Sequence, residues 1–151
     1  MRKLARAFAV LTLLSASLVF AHATVRTEAG LAESKAGVSE TYRLQVPVEK
    51  PMATVEVRLV VPAGFVLTRF LQTPGWERTV VKNADGLITQ VTWKGKVEDG
   101  EFARFIFQGR NPKDPTRLYW KVYQKYADGS VVAWEKEDPQ ADTPASAVEI
   151  K

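Results

Sequence analysis

The sequence predicts an all-β chain, an antiparallel two-sheet β-sandwich of eight or nine strands behind a secretory leader, and three observations carry that prediction. Apolar and polar residues alternate at period two over most of the chain beyond residue 22. Clusters of Pro, Gly and Asp interrupt the alternation about every ten residues. No segment past the leader repeats apolar residues at the spacing of an amphipathic helix.

Residues 1–21 have the form of a signal peptide. Arg2, Lys3 and Arg6 supply positive charge, and the uncharged run Ala7 to Phe20 is too short for a permanent membrane anchor. Two cuts satisfy the requirement for small residues at positions −3 and −1. One follows Ala21 (Val19 and Ala21) and the other follows Ala23 (Ala21 and Ala23), and the local pattern leaves both open.

Residues 22–151 read as one domain, long enough to bury a core without covalent staples. Tyr42, Leu44 and Val46 alternate with Arg43 and Gln45 in a strand over 40–46. Val55, Val57, Leu59 and Val61 alternate with Glu56, Arg58 and Val60 in another over 54–61. Further strands are expected at 65–71, 77–82, 87–94, 102–108, 118–126 and 130–134, with a last short one at 147–150. Turn signals separate them, and NADG at 83–86 and ADG at 127–129 place the positive φ angles that tight turns need. They predict hairpins over 77–94 and 117–134. Residues 136–147 are acidic and contain proline, reading as a loop or tail. Strand count and spacing suit an immunoglobulin-like or cupredoxin-like sandwich.

Composition excludes several functions. Of 21 Lys and Arg against 17 Asp and Glu, three basic residues lie in the leader, so the domain is close to neutral and lacks the basic face that nucleic-acid binding needs. There is no cysteine although the leader points to a periplasmic or extracellular compartment where disulfides persist. Past the leader Met52 is the single thioether, so a metal site here would be built from nitrogen and oxygen, the donors that suit Cu(II). With one histidine, no Ser-His-Asp or Cys-His arrangement can be assembled.

That one histidine, His22, stands directly after the first candidate cut. A cut there turns it into the N-terminus, where its α-amine and imidazole Nδ1 can close on one Cu(II) as a chelate. A cut after Ala23 removes it.

The aromatic residues Trp93, Phe105, Phe107, Trp120, Tyr123 and Tyr126 read as core or cross-strand packing. Trp134 ends its strand five residues after the ADG turn, a position suited to the rim of the sandwich. Glu101 opens an otherwise apolar strand directly after the EDG turn at 98–100. On its own it reads as a solvated strand end.

The start HATVRTEAG and the segments SETYRLQVPVEKPMATVEVRLVVP, GEFARFIFQGRNP and YWKVYQKYADGSVVAWE resemble the YcnI-like copper-binding family over nearly the whole chain from His22 to about Glu135. The resemblance implies a secreted or membrane-facing sandwich that binds one Cu(II) through a single-histidine brace, which selects the cut after Ala21. It also implies a carboxylate and a tryptophan near the metal. The matching positions are His22, Glu101 in the GEF motif and Trp134 in the DGSVVAW motif, with Glu28 and Glu135 as other candidates for the oxygen ligand. Unlike many relatives the sequence shows no apolar run after Trp134, so no permanent membrane anchor is expected.

Three functions follow. The first is a copper carrier or buffer in copper homeostasis, with a copper-trafficking partner protein. The second is a copper oxidase or oxygenase, disfavoured because no second histidine exists to complete a two-histidine brace. The third is an adhesion or interaction sandwich without metal.

Overall fold

Alternation of side chains resolves into eleven strands in the computed structural model, which describes residues 21–151; the leader lies, apart from Ala21, outside the described residues. The strands are β1 (Thr24–Thr27), β2 (Glu33–Ser34), β3 (Ser39–Pro47), β4 (Thr54–Val60), β5 (Val66–Phe70), β6 (Glu77–Lys82), β7 (Ile88–Val97), β8 (Phe102–Arg110), β9 (Thr116–Tyr126), β10 (Val131–Trp134) and β11 (Ser146–Ile150). One sheet has the order β1-β3-β8-β5, and the other runs β2-β11-β9-β4-β7-β6, with β10 also paired to β9. All pairs are antiparallel except the two-residue contact of β2 with β11.

The expected antiparallel sandwich is what forms, with two more strands than the alternation marks. β1 and β2 have four and two residues, too few for a period to show, and they take their ladder bonds from β3 and β11. Both expected hairpins form, β6 with β7 and β9 with β10. In their turns only glycine has positive φ, 77° at Gly86 and 85° at Gly129, and the preceding aspartates do not. In the first, Asn83 Oδ1 accepts the amides of Asp85 and Leu87, each at 3.0 Å, so a side chain closes a three-residue loop.

The core fills the space between the inner faces of the two sheets. Trp93 of β7 stacks on Phe105 of β8 with ring centroids 4.5 Å apart, and Tyr42, Phe65, Phe107 and Trp120 form a second aromatic group. Tyr123, on the outer face, pairs across strands instead, with the Arg58 guanidinium 4.0 Å from its ring centroid.

One irregularity shapes the end of the sandwich where β1 begins. A bulge between Thr54 and Glu56 breaks the alternation of β4, so that Thr54 is fully buried while Val55 is displaced from the inward set. The hydroxyl of Thr54 thereby enters the interior, where a polar partner is required.

Candidate metal centre

The site is assembled where β1 enters its sheet. Val25 donates its amide to Ser146 Oγ at 2.8 Å, and that hydroxyl donates back to the Val25 carbonyl at 3.1 Å. With β3 pairing from Thr24 and this clasp to β11 at Val25, the chain is held within two residues of Ala23, which is itself 1% exposed. His22 is therefore an exposed side chain on an anchored backbone.

Its imidazole lies 5.5 Å, centroid to centroid, from the indole of Trp134, the planes tilted by 47°. Trp134 is 5% exposed and presents its ring to the histidine while its Nε1–H points inward and donates to Gln124 Oε1 at 3.1 Å. Trp134 thus forms the wall of a cleft of about 490 Å³, whose lining includes His22, Glu49, Lys50, Tyr126, Val132 and Asp142. Glu49 comes from the connection between β3 and β4, and its Oε1 accepts the amide of Ala21, the residue before His22. Lys50 Nζ donates to Ser130 Oγ at 3.1 Å and sits 4.7 Å from the ring centroid of Tyr126. Burial pushes the Tyr126 phenol above its ordinary value, so it faces the cleft as a neutral hydroxyl.

The structure brings His22 and Trp134 together, and it does not bring Glu101 into their cleft. The Glu101 carboxylate accepts the Glu98 amide at 2.9 Å, its own amide donates to the Glu98 carbonyl at 3.1 Å, and its carbonyl accepts Val48 N–H at 3.1 Å. Glu101 is thereby folded back onto the 98–101 turn. Glu28 lines a separate depression with Arg69 and Gln108, and Glu135 accepts the hydroxyl of Tyr123. The carboxylates in the cleft are Glu49 and Asp142.

Sequence reasoning missed Glu49 and Gln124. Glu49 carries no local signal, because its nearness to His22 depends on how β1 registers on β3. Gln124 did carry one. On β9 the inward positions are Leu118, Trp120, Val122, Gln124 and Tyr126, a single polar side chain in an apolar row.

Among the described residues no three side chains of His, Cys, Asp or Glu converge as a metal cage. With one imidazole and no thiolate, a site here needs a backbone donor. A cut between Ala21 and His22 would free the His22 α-amine as that donor, and Glu49, which lines the same cleft, could offer an oxygen. This donor set of two nitrogens and a carboxylate fits Cu(II).

Fold and site together define the class: an antiparallel sandwich with a histidine at the entry of its first strand, set against a buried tryptophan. Residues 22–150 match the model of the family described as Domain of unknown function (DUF1775), and the chain belongs to this family. Copper-binding protein CutI of Bacillus subtilis (strain 168) is 38% identical over 133 residues, covering 86% of this chain. The chain spans 62% of that relative's length. Among solved structures, a Nocardia farcinica protein whose crystal structure reveals an immunoglobulin-like fold is 25% identical, with a TM-score of 0.72 over 85% of this chain and 97% of that one. A cohesin module of a Clostridium perfringens family 33 glycoside hydrolase superposes with a TM-score of 0.57 at 11% identity over 86% and 94% of the two chains, a likeness of fold alone.

Proposed function

We propose that this protein is an extracytoplasmic copper-binding protein that holds one Cu(II) through the α-amine and imidazole of His22, with Glu49 as the nearby carboxylate and Trp134 as the wall. The observation that carries this reading is the placement of the sole histidine 5.5 Å from a buried indole, on an anchored strand entry, in a cleft that Glu49 also lines. The 38% identity to a protein named for copper binding supports it. Glu101 remains the ligand implied by the family motif, with its carboxylate accepting the Glu98 amide at 2.9 Å.

The burial of Ala23 supports a cut after Ala21. A cut after Ala23 discards both the histidine and a residue of the core, and leaves Thr24, which pairs with Gln45, as a frayed end. A cut after Ala21 leaves the packed entry whole and frees the amine.

Capture then requires loss of the ammonium proton, whose ordinary pKa is roughly 7.7–8.0. Affinity should fall by about tenfold for each pH unit below that range for this proton alone. The role proposed is custody of copper in trafficking or homeostasis, with delivery to a partner protein, in a periplasmic or extracellular setting. No second histidine is available for an oxygen-activating brace.

The test is to isolate the exported, untagged protein, determine its first residue by mass spectrometry, and titrate it with Cu(II) under electron paramagnetic resonance. A His22 start with one tetragonal, nitrogen-rich signal is the expected result. A start at Thr24, or binding no tighter than that of a short His-Ala peptide, overturns the reading.

A further inference from the structure

Gln124 is a fully buried side chain and every one of its hydrogen bonds reaches a different segment around the cleft. Its Oε1 accepts from the indole of Trp134 at 3.1 Å. Its Nε2 donates to the carbonyl of Pro47 and to Thr54 Oγ1, both at 2.8 Å. Pro47 ends β3 in the opposite sheet and stands two residues before Glu49; Thr54 is the residue turned inward by the β4 bulge.

The partners dictate the orientation of the amide. An indole nitrogen can only donate and a proline carbonyl can only accept, so oxygen must face Trp134 and nitrogen must face Pro47. Few side chains can do both from one position. An apolar residue leaves two buried backbone or ring groups without partners, and a carboxylate opposes the Pro47 carbonyl. A glutamine in the apolar row of β9 is otherwise unfavourable, since aliphatic packing would serve the core without a polar group to satisfy.

We propose that Gln124 is the positioning residue of the copper site. It acts through two segments it does not share a strand with: it sets the indole of Trp134 against His22, and it ties the chain leading to Glu49 to the same point. The distance between imidazole and indole is then a property of one buried amide, as outer-shell partners orient the groups around a metal. This inference rests on the copper reading above.

The experiment compares the mature protein starting at His22 with its Gln124→Met and Thr54→Val variants, each checked for cooperative unfolding. Two readouts are taken. In the metal-free protein, hydrogen exchange of the Trp134 indole N–H is followed by NMR, with Trp134→Phe to assign the signal. With Cu(II) alone added, affinity and the paramagnetic resonance spectrum are recorded.

For Gln124→Met the indole exchange should accelerate at least about tenfold, copper should bind about 10-fold more weakly, and the single resonance signal should split into several species. Thr54→Val, which removes one of the amide's two acceptors, should move both readouts in the same direction by less, and it decides the matter if Gln124→Met does not fold. A folded variant with faster indole exchange and a wild-type copper spectrum makes Gln124 merely structural and overturns the proposal, as does a Thr54→Val protein unchanged in both. Failure of the copper reading is seen separately: wild-type protein binds no tighter than the short peptide. The positioning role then falls with it, although the contrast in indole exchange persists.

Discussion

At the scale of single residues, the site divides carboxylates by where the backbone sends them. Glu49 lines the cleft that His22 enters, while Glu101 closes the turn that precedes β8. Glu49→Gln should therefore weaken Cu(II) binding by about tenfold or more with little effect on folding, and Glu101→Gln should leave the metal affinity near wild type and lower the melting temperature slightly. Isothermal titration beside calorimetric melting separates the two, and a larger loss of affinity for Glu101→Gln would return the ligand role to it. His22 was legible because it is the sole imidazole and adjoins a candidate cut. The place of Trp134 at a strand end after a hairpin suited the rim of the sandwich, and its pairing with His22 was expected only from the family resemblance. Glu49 was not legible, because a residue in a connecting loop gains its meaning only from the strand that packs beside it.

At the scale of elements, the β9–β10 hairpin supplies both Trp134 and the Gln124 that holds it, so its turn bears on the cleft. Gly129 has φ of 85° with open space around its Cα, and Gly129→Ala should destabilise through backbone strain alone, by about 1–2 kcal/mol in thermal or urea unfolding. The Asp128 carboxylate accepts the Ser130 hydroxyl at 2.6 Å and amide at 2.9 Å, which holds its pKa below the ordinary carboxylate range. This contribution to stability is present above the unfolded value, about 3.9, and is lost as pH falls through the lower folded value. Asp128→Asn should therefore flatten the acid limb of the stability profile below about pH 4. A profile unchanged by the substitution would assign the acid limb to other groups. The positions of the longer strands could be read from alternation, since each offers several repeats of the period. The bulge at Thr54 could not, because Val55 keeps the pattern in sequence while the backbone turns it aside.

For the whole molecule, the proposed copper site would join β1 to the β3–β4 connection, and metal should act as a staple on the edge of the first sheet. At Cu(II) one hundredfold above its dissociation constant, linkage predicts stabilisation of about 2.7 kcal/mol. A melting temperature that rises with Cu(II) for protein starting at His22, and does not for protein starting at Thr24, is the expected outcome; equal shifts would place the stabilising metal elsewhere. The neutrality of the domain and its lack of cysteine were plain in the sequence, and packing of two aromatic groups supports the fold without covalent staples.

The clasp between Val25 and Ser146 also bears on the order of events in biogenesis. Once it closes, Ala23 is sealed in the core and β1 is laddered to β3 from Thr24 onward, so the residues just after the Ala21–His22 bond are no longer a free extended strand. On the proposed reading, in which that bond is cut, a peptidase that must grip the chain on both sides of it would have to act before β1 docks. Folding and processing would then compete in time, and a precursor that docked this strand early would not expose the amine.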